Sequence, residues 1–227
     1  MLRRSTNPDP YIGGLRRPRN RPWFGGALLG LFLSLLFPHG AAAAERVIVA
    51  FGDSLVAGYG LAQADAFPAV LQARLRRDGL DVRVRNAGVS GDTTAGGRAR
   101  LDWALASPVD LVIVELGAND ALRGVPPKTA KANLDAILAR LKAKGVTVLI
   151  AGMRAPPNLG RGYVEAFDAI YPALAAKHAL PLYPFFLEGV AARPELNQQD
   201  GLHPNAAGVR RIVEGIAPHV KAALPAR

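Results

Sequence analysis

Four short stretches of the chain gather hydroxyl, carboxylate, imidazole and amide groups among glycines. They are Gly52-Asp53-Ser54-Leu55, the run from Asn86 to Thr93, Gly117-Ala118-Asn119-Asp120, and Asp200-Gly201-Leu202-His203-Pro204-Asn205. Nucleophilic acyl transfer needs a hydroxyl, a base to take its proton, a group to orient the base, and donors for the oxyanion. Each need has a candidate here. Ser54 supplies the hydroxyl. Past residue 44 there are three histidines. His178 and His219 fall in or near helical patterns with no obvious polar constellation. His203 instead precedes Pro204, which biases it away from helical geometry and into a loop. Asp200, three residues earlier, is placed to hold the imidazole tautomer.

Each stretch also has a plainer reading. Gly52-Asp53-Ser54 can be a turn or a helix cap, and Gly88 and Gly91 can serve a tight turn. Asn119 can cap a helix. Asp200 and His203 can be a hydrogen-bonded loop pair, or two metal ligands. No third ligand stands at a convincing spacing, so no metal and no cofactor is expected.

What separates these readings is where the elements carry the four stretches. Short apolar runs at 47–51, 111–115, 146–151 and 182–183 read as strands, and 82–85 alternates as a half-exposed edge strand does. Between them lie helical patterns. Asp65 is expected to cap a helix whose apolar face is Phe67, Val70, Leu71 and Leu75, with Pro68 in the first turn and Gly79 as the stop. Residues 93–106 read as a second helix. A third, 128–144, carries the stripe Leu134, Ile137, Leu138 and Leu141 and ends at Gly145. Tyr163, Phe167, Ile170 and Leu174 mark a helix expected to kink or split at Pro172. Asn205 is the expected cap of a closing helix built on Val209, Ile212, Val213, Ile216 and Val220.

Alternating strands and helices predict a three-layer α/β/α fold around a five-stranded parallel sheet. The continuously apolar runs suit strands covered on both faces. The expected strand order is the flavodoxin-like 2-1-3-4-5, with the alternating strand at an edge. In such a sheet, ligands sit outside the carboxyl ends of the strands. All four polar stretches follow strands, so they converge on one rim. Two apolar, proline-bearing segments also begin at strand ends, from Leu122 to Pro127 and from Ala155 to Leu159. With Leu122, Pro156 and Leu159, they are expected to wall an acyl-chain groove; the alternative is that they are loops packed on the core.

Composition narrows the classes. The chain of 227 residues has no cysteine, which excludes a disulfide framework, a thiol nucleophile, a cysteine-ligated zinc and a lipid-modified cysteine. Residues 1–44 hold six arginines and one aspartate, an apolar run over 23–37, and then Ala41-Ala42-Ala43-Ala44. Basic region, apolar stretch and small residues form the pattern of a secretory signal peptide, with Ala42-Ala43-Ala44 as the cleavage signal and Glu45 as the mature N-terminus. An uncleaved anchor is the alternative, although the run is shorter than the roughly 20 residues of a spanning helix. Export to the periplasm or the medium is expected. The unusual length of the basic region suggests a translation start downstream of Met1. Residues 45–227 suit one domain and carry 22 basic against 17 acidic residues. The basic residues, among them Arg74, Arg76, Arg77, Lys142 and Lys144, are dispersed over helix faces. No nucleic-acid partner is expected, and at most peripheral contact with a membrane. Neither Gly-x-x-x-x-Gly-Lys nor Gly-x-Gly-x-x-Gly occurs, which weakens the rival reading of a non-catalytic anion-binding module.

Taken in this order, the four blocks resemble the SGNH/GDSL hydrolase superfamily, which is identified by short motifs around Ser, Gly, Asn and His. The resemblance spans essentially all of 45–227. It is closest to the bacterial periplasmic branch of acyl-thioesterases, lysophospholipases and arylesterases, through Gly52 to Tyr59, Ser90-Gly91-Asp92-Thr93-Thr94, Glu115 to Asp120, Met153 to Asn158, and Asp200 to Pro204. It implies roles residue by residue. Ser54 is nucleophile and, through its N–H, oxyanion donor; Gly91 adds a second N–H and Asn119 its side-chain amide. His203 is general base and then acid, oriented by Asp200. The Gly-x-Ser-x-Gly elbow of α/β-hydrolases is absent. The implied substrate is a small-molecule or lipid acyl ester or thioester. A carbohydrate acetylesterase is the alternative within the superfamily.

Overall fold

Five runs rich in β-branched and apolar residues form one sheet: β1 (Arg46–Gly52), β2 (Val82–Gly88), β3 (Leu111–Glu115), β4 (Thr147–Ala151) and β5 (Leu182–Tyr183). The computed structural model describes residues 45–105 and 108–226. The basic and apolar sequence over 1–44 and its expected cleavage site lie outside the described residues. So does the expected last residue of the second helix, Ala106.

All neighbouring strands are parallel, in the order β2-β1-β3-β4-β5. The step from β1 to β2 runs one way across the sheet and every later step the other. Right-handed crossovers therefore place α2 (Phe67–Arg77) on one face. On the opposite face lie α3 (Thr94–Ala104), α5 (Pro127–Ala143), α6 (Arg161–Asp168) and α7 (Ile170–His178). The closing helix α8 (Ala206–Ala223) returns to pack beside α2. Two very short helices, α1 (Ser54–Ala57) and α4 (Ala118–Leu122), sit at the carboxyl ends of β1 and β3.

Burial follows from this layering. Ile48 to Phe51 and all five residues of β3 are buried, because helices cover both faces. β2 alternates, with Val82 and Val84 inward and Arg83 exposed, as an edge strand does. The stripe of α5 is buried as expected, and Gly145 follows it with φ +69°. Asn205 caps α8, its side chain accepting the N–H groups of Ala207 and Gly208 at 2.9 and 3.0 Å.

Two local expectations are corrected. Asp65 does not cap α2: it closes a short 3₁₀ turn, and Ala66 takes the cap position without a side-chain hydrogen bond. Asp65 faces Arg210 instead, at 3.9 Å. The helix expected to break at Pro172 breaks earlier, at Ala169. Pro172 then falls in the first turn of α7, where its missing N–H has no intrahelical acceptor to lose. Among the described residues no helix is long and apolar enough to cross a membrane.

Candidate active site

β1 ends at Gly52 and the chain turns at once into α1, with Asp53 as its cap. The Asp53 carboxylate accepts the Leu55 N–H at 3.0 Å. This turn is tight enough to need two bare positions. Gly52 and Gly88 face each other in the β1–β2 register. A Cβ on Gly52 would strike Val56 and Glu115, and one on Gly88 the backbone of Ala57 and Asp53. Ser54 is therefore the first residue of α1, only 9% exposed, with its hydroxyl directed at the loop that precedes α8.

That loop brings His203 back across 149 positions of sequence. Its Nε2 lies 2.9 Å from Ser54 Oγ. Its Nδ1 lies 2.6 Å from Asp200 Oδ2. Asp200 Oδ1 accepts the N–H groups of Leu202 and His203 at 2.9 and 3.0 Å. These donors, the His203 backbone N–H first and its ring second, hold the Asp200 carboxyl down at about 2. An ionised carboxylate at Nδ1 assigns the ring proton there and leaves the Nε2 lone pair for the serine hydroxyl. The Tyr59 ring lies against the imidazole, centroids 4.7 Å apart. The loop itself is tied down by an Asn197–Pro204 bridge and by Gln198, whose N–H donates to the His203 carbonyl at 2.7 Å.

Arg100 fixes the rim between the first strands. Its guanidinium donates to Asp92, at 2.6 Å, and to the carbonyls of Ala87 and Gly52, both at 2.8 Å. It also lies over the Phe51 ring. Behind it, Asp120 accepts both the N–H and the hydroxyl of Thr94, at 2.7 and 2.6 Å, locking α4 to the start of α3.

The donors expected around the serine are arranged as follows. The Ser54 N–H stands at the first position of a helix, where no intrahelical acceptor exists. Gly91 adopts φ +79°, and its carbonyl accepts the Arg123 guanidinium at 2.8 Å. Asn119 Nδ2 donates to the Asp92 carbonyl at 2.9 Å and to Asp53 Oδ2 at 3.1 Å, so both amide hydrogens are engaged. Beneath this network, Glu115 is wholly buried at the end of β3 beside Asp53. Burial pushes Glu115 well up and Asp53 up to about 6.

Ser54, Asn119 and His203 open onto a cavity of about 380 Å³. Leu122 and Pro156 line it, together with Met153, Phe185, Leu187 and Leu202. Leu159 does not: it lies in a 3₁₀ turn packed against the core. Gly91 also stands outside the lining. Phe185 and Leu187 escaped the sequence reading because Pro184-Phe185-Phe186-Leu187 resembles a continuation of the last strand. The Asp53–Glu115 contact had one available signal, a glutamate ending an otherwise apolar strand. Among the described residues no group of three His, Cys, Asp or Glu side chains is placed to hold a metal ion.

Residues 50–211 match the model of the GDSL-like lipase/acylhydrolase family. Esterase TesA of Pseudomonas aeruginosa is 44% identical over 195 residues, covering 86% of this chain and 96% of that protein. Thioesterase 1/protease 1/lysophospholipase L1 of Escherichia coli K12 is 44% identical over 192 residues, covering 84% and 90%. Among solved structures, AlinE4, an SGNH-hydrolase family esterase, superposes with a TM-score of 0.67 at 52% identity, over 80% of this chain and 98% of its own.

Proposed function

The chain belongs to the GDSL-like lipase/acylhydrolase family, and on that premise we propose that Ser54, His203 and Asp200 are its catalytic residues, acting on acyl esters and thioesters. As a member it is a serine hydrolase of ester bonds, which retires the anion-binding module. One observation carries the assignment of residues: an unbroken chain from Asp200 through His203 to Ser54, with links of 2.6 and 2.9 Å, at the mouth of a mainly apolar cavity.

In this reading Ser54 Oγ attacks the acyl carbon as His203 Nε2 takes its proton. The new oxyanion is met by the N–H groups of Ser54 and Gly91 and by the Asn119 amide, one of whose hydrogens must turn from its resting acceptor. Collapse of the tetrahedral species expels the alcohol or thiol, protonated by His203. Water then attacks the Ser54 acyl-enzyme by the same route and releases the acid. The cavity volume falls within the ordinary range for small-molecule sites, and its hydrocarbon lining suits an acyl chain rather than a sugar. The substrate proposed is therefore a fatty acyl ester or thioester, and acetylated carbohydrate is the alternative.

Ser54→Ala is expected to abolish both turnover and labelling by a fluorophosphonate probe, and strong labelling of the variant would sink the assignment. Asn119→Ala is expected to lower kcat roughly 10²–10³-fold, the scale of one lost oxyanion donor. Measured kcat/KM across acyl lengths, on esters and thioesters, separates the substrate classes, since a sharp preference for acetyl would favour the carbohydrate reading. The Arg-rich, apolar and Ala-rich sequence over 1–44 supports export, with Glu45 as the first mature residue. N-terminal sequencing of protein from the periplasm or medium tests this, and retention of the apolar run would refute it.

A further inference from the structure

Glu115 has no role in the chemistry described so far, yet it is wholly buried directly behind the nucleophile turn. Its Oε1 makes no hydrogen bond. Its Oε2 receives only the Asp53 N–H, at a long 3.4 Å. Among the described ion pairs none includes Glu115 or Asp53. Arg100, whose guanidinium reaches the Gly52 carbonyl beside this turn, spends its donors on Asp92 and two carbonyls. Two neighbouring buried carboxyl groups without an ion-pair partner do not both stay ionised; they hold one proton between them.

The hydrogen-bond partners decide where that proton resides. Asp53 accepts from the Leu55 N–H at 3.0 Å and from Asn119 Nδ2 at 3.1 Å, bonds that favour its anion. Glu115 has no comparable donor, so the neutral acid is the form its surroundings allow. A neutral acid needs an acceptor for its own O–H, and Asp53, whose backbone N–H lies 3.4 Å from Glu115 Oε2, is the anion beside it. The directions of titration agree. Burial raises Glu115 first and the charge of Asp53 raises it further. For Asp53, burial acts upward while Leu55, Asn119 and Glu115 act downward. The other ionisable groups facing the pair are already committed. Tyr171 on α7 donates to the Leu116 carbonyl at 2.9 Å, Asp120 on α4 accepts from Thr94, and His203 is held by Asp200.

We propose that Glu115 is a positioning residue: as a neutral acid it donates to Asp53 and so fixes the carboxylate that holds the Asn119 amide beside Ser54. The grip on Asn119 is consequential because both of its amide hydrogens are engaged at rest. A fully charged, unshared Asp53 would bind the amide as a charge-assisted acceptor, about twice as strongly as a neutral one, and compete with the oxyanion. An Asp53 carboxylate that shares the Glu115 proton orients the amide yet releases it. The proposal rests on the assignment of Asn119 to the oxyanion hole.

The test uses the full chain and four variants. Glu115→Gln keeps a neutral donor of the same shape and is expected to retain kcat within about threefold. Glu115→Leu removes the donor while filling the space with hydrocarbon. It is expected to fold with an unchanged or raised melting temperature, and to lose roughly tenfold in kcat at constant KM, less than removal of the oxyanion donor itself. In an Asn119→Ala background the same Leu substitution should cost nothing further, because its effect passes through the amide. Full kcat in Glu115→Leu, or an equal loss in Glu115→Gln, would overturn the proposal, as would additive losses in the double variant. If Glu115→Leu fails to fold, infrared difference spectroscopy decides: wild type should show the carbonyl stretch of an unhydrated protonated carboxylic acid, lost in Glu115→Gln. Absence of that band in wild type refutes the neutral acid. If Asn119→Ala alone leaves the rate intact, it is the assignment of Asn119 that fails, whatever the infrared band shows.

Discussion

Replacing Asp200 by Asn isolates the tautomer of His203 from everything else the loop does. Asp200 accepts from three donors: two backbone N–H groups on Oδ1 and the imidazole on Oδ2. An asparagine of the same shape must turn its oxygen toward the two backbone donors, since its NH₂ would oppose both. The NH₂ then faces His203 Nδ1, which becomes an acceptor, and the ring proton moves to Nε2. There it points at Ser54 Oγ, 2.9 Å away, and no lone pair remains to take the serine proton. The loss expected for a wrong tautomer in otherwise intact geometry is about 10⁴ in kcat, or about 5 kcal/mol of transition-state stabilisation. Steady-state hydrolysis of a p-nitrophenyl ester measures it, with Ser54→Ala as the floor and the melting temperature as a control for folding. The loop keeps its backbone bonds in this variant, so the melt should change little. A kcat within tenfold of wild type, in a protein of unchanged stability, would refute the role given to Asp200.

Other perturbations probe the frame and the cavity. Gly88→Ala drives a methyl into the backbone of Ala57 and Asp53, and is expected to destabilise by at least the roughly 1–3 kcal/mol of ordinary overpacking, read as a fall in the urea midpoint. A wild-type midpoint would show that the turn from β1 into α1 has slack. Leu122→Ala strips a half-exposed wall residue from the cavity. It should lower kcat/KM for long acyl chains about fivefold, or roughly 1 kcal/mol, and leave acetyl esters unaffected; equal losses on both would remove Leu122 from the acyl site. Asp200 also links stability to pH. Its carboxyl is held at about 2 against 3.8 when unperturbed, so the folded state binds the proton less tightly than the unfolded one. Its stabilising contribution is complete above about pH 4 and is lost as the pH falls through about 2. The contribution of Asp200 to the stability difference between wild type and Asp200→Ala should therefore shrink as the pH falls from 4 toward 2. A difference that grows over that window would show that the sign is wrong.

The architecture was legible because its signals are local and repeated. Uninterrupted apolar runs at 47–51 and 111–115 mark strands covered on both faces, and the alternation at 82–85 marks an edge. Positions at strand ends then bring four loops to one rim, whatever their side chains do. The failures share a cause, which is that a neighbour in space overrode a residue's local preference. Asp65 has the chemistry of a cap, but a 3₁₀ turn consumed it and presented it to Arg210. Leu159 follows the same strand end as Pro156, yet it lies in the turn at Pro157–Leu159, partly buried against the core. Helix α7 ends at Ala179, which adopts φ +54° without the glycine that usually announces such an end. The Asp53–Glu115 contact joins residues 62 positions apart, and its one local signal, a glutamate ending an apolar strand, does not say which residue it meets.

The 149 positions that separate Ser54 from His203 have a consequence for biosynthesis. The proposed nucleophile closely follows β1 and its base lies on the loop before α8, so a ribosome releases the hydroxyl long before His203 can deprotonate it. No nascent fragment that stops short of Asp200 carries the base, whatever core it has condensed. The proposed site is closed by a long-range contact, the slowest kind to form because the intervening chain must first be ordered. If the proposed residues carry the chemistry, products truncated before Asp200 are expected to be inert toward acyl esters.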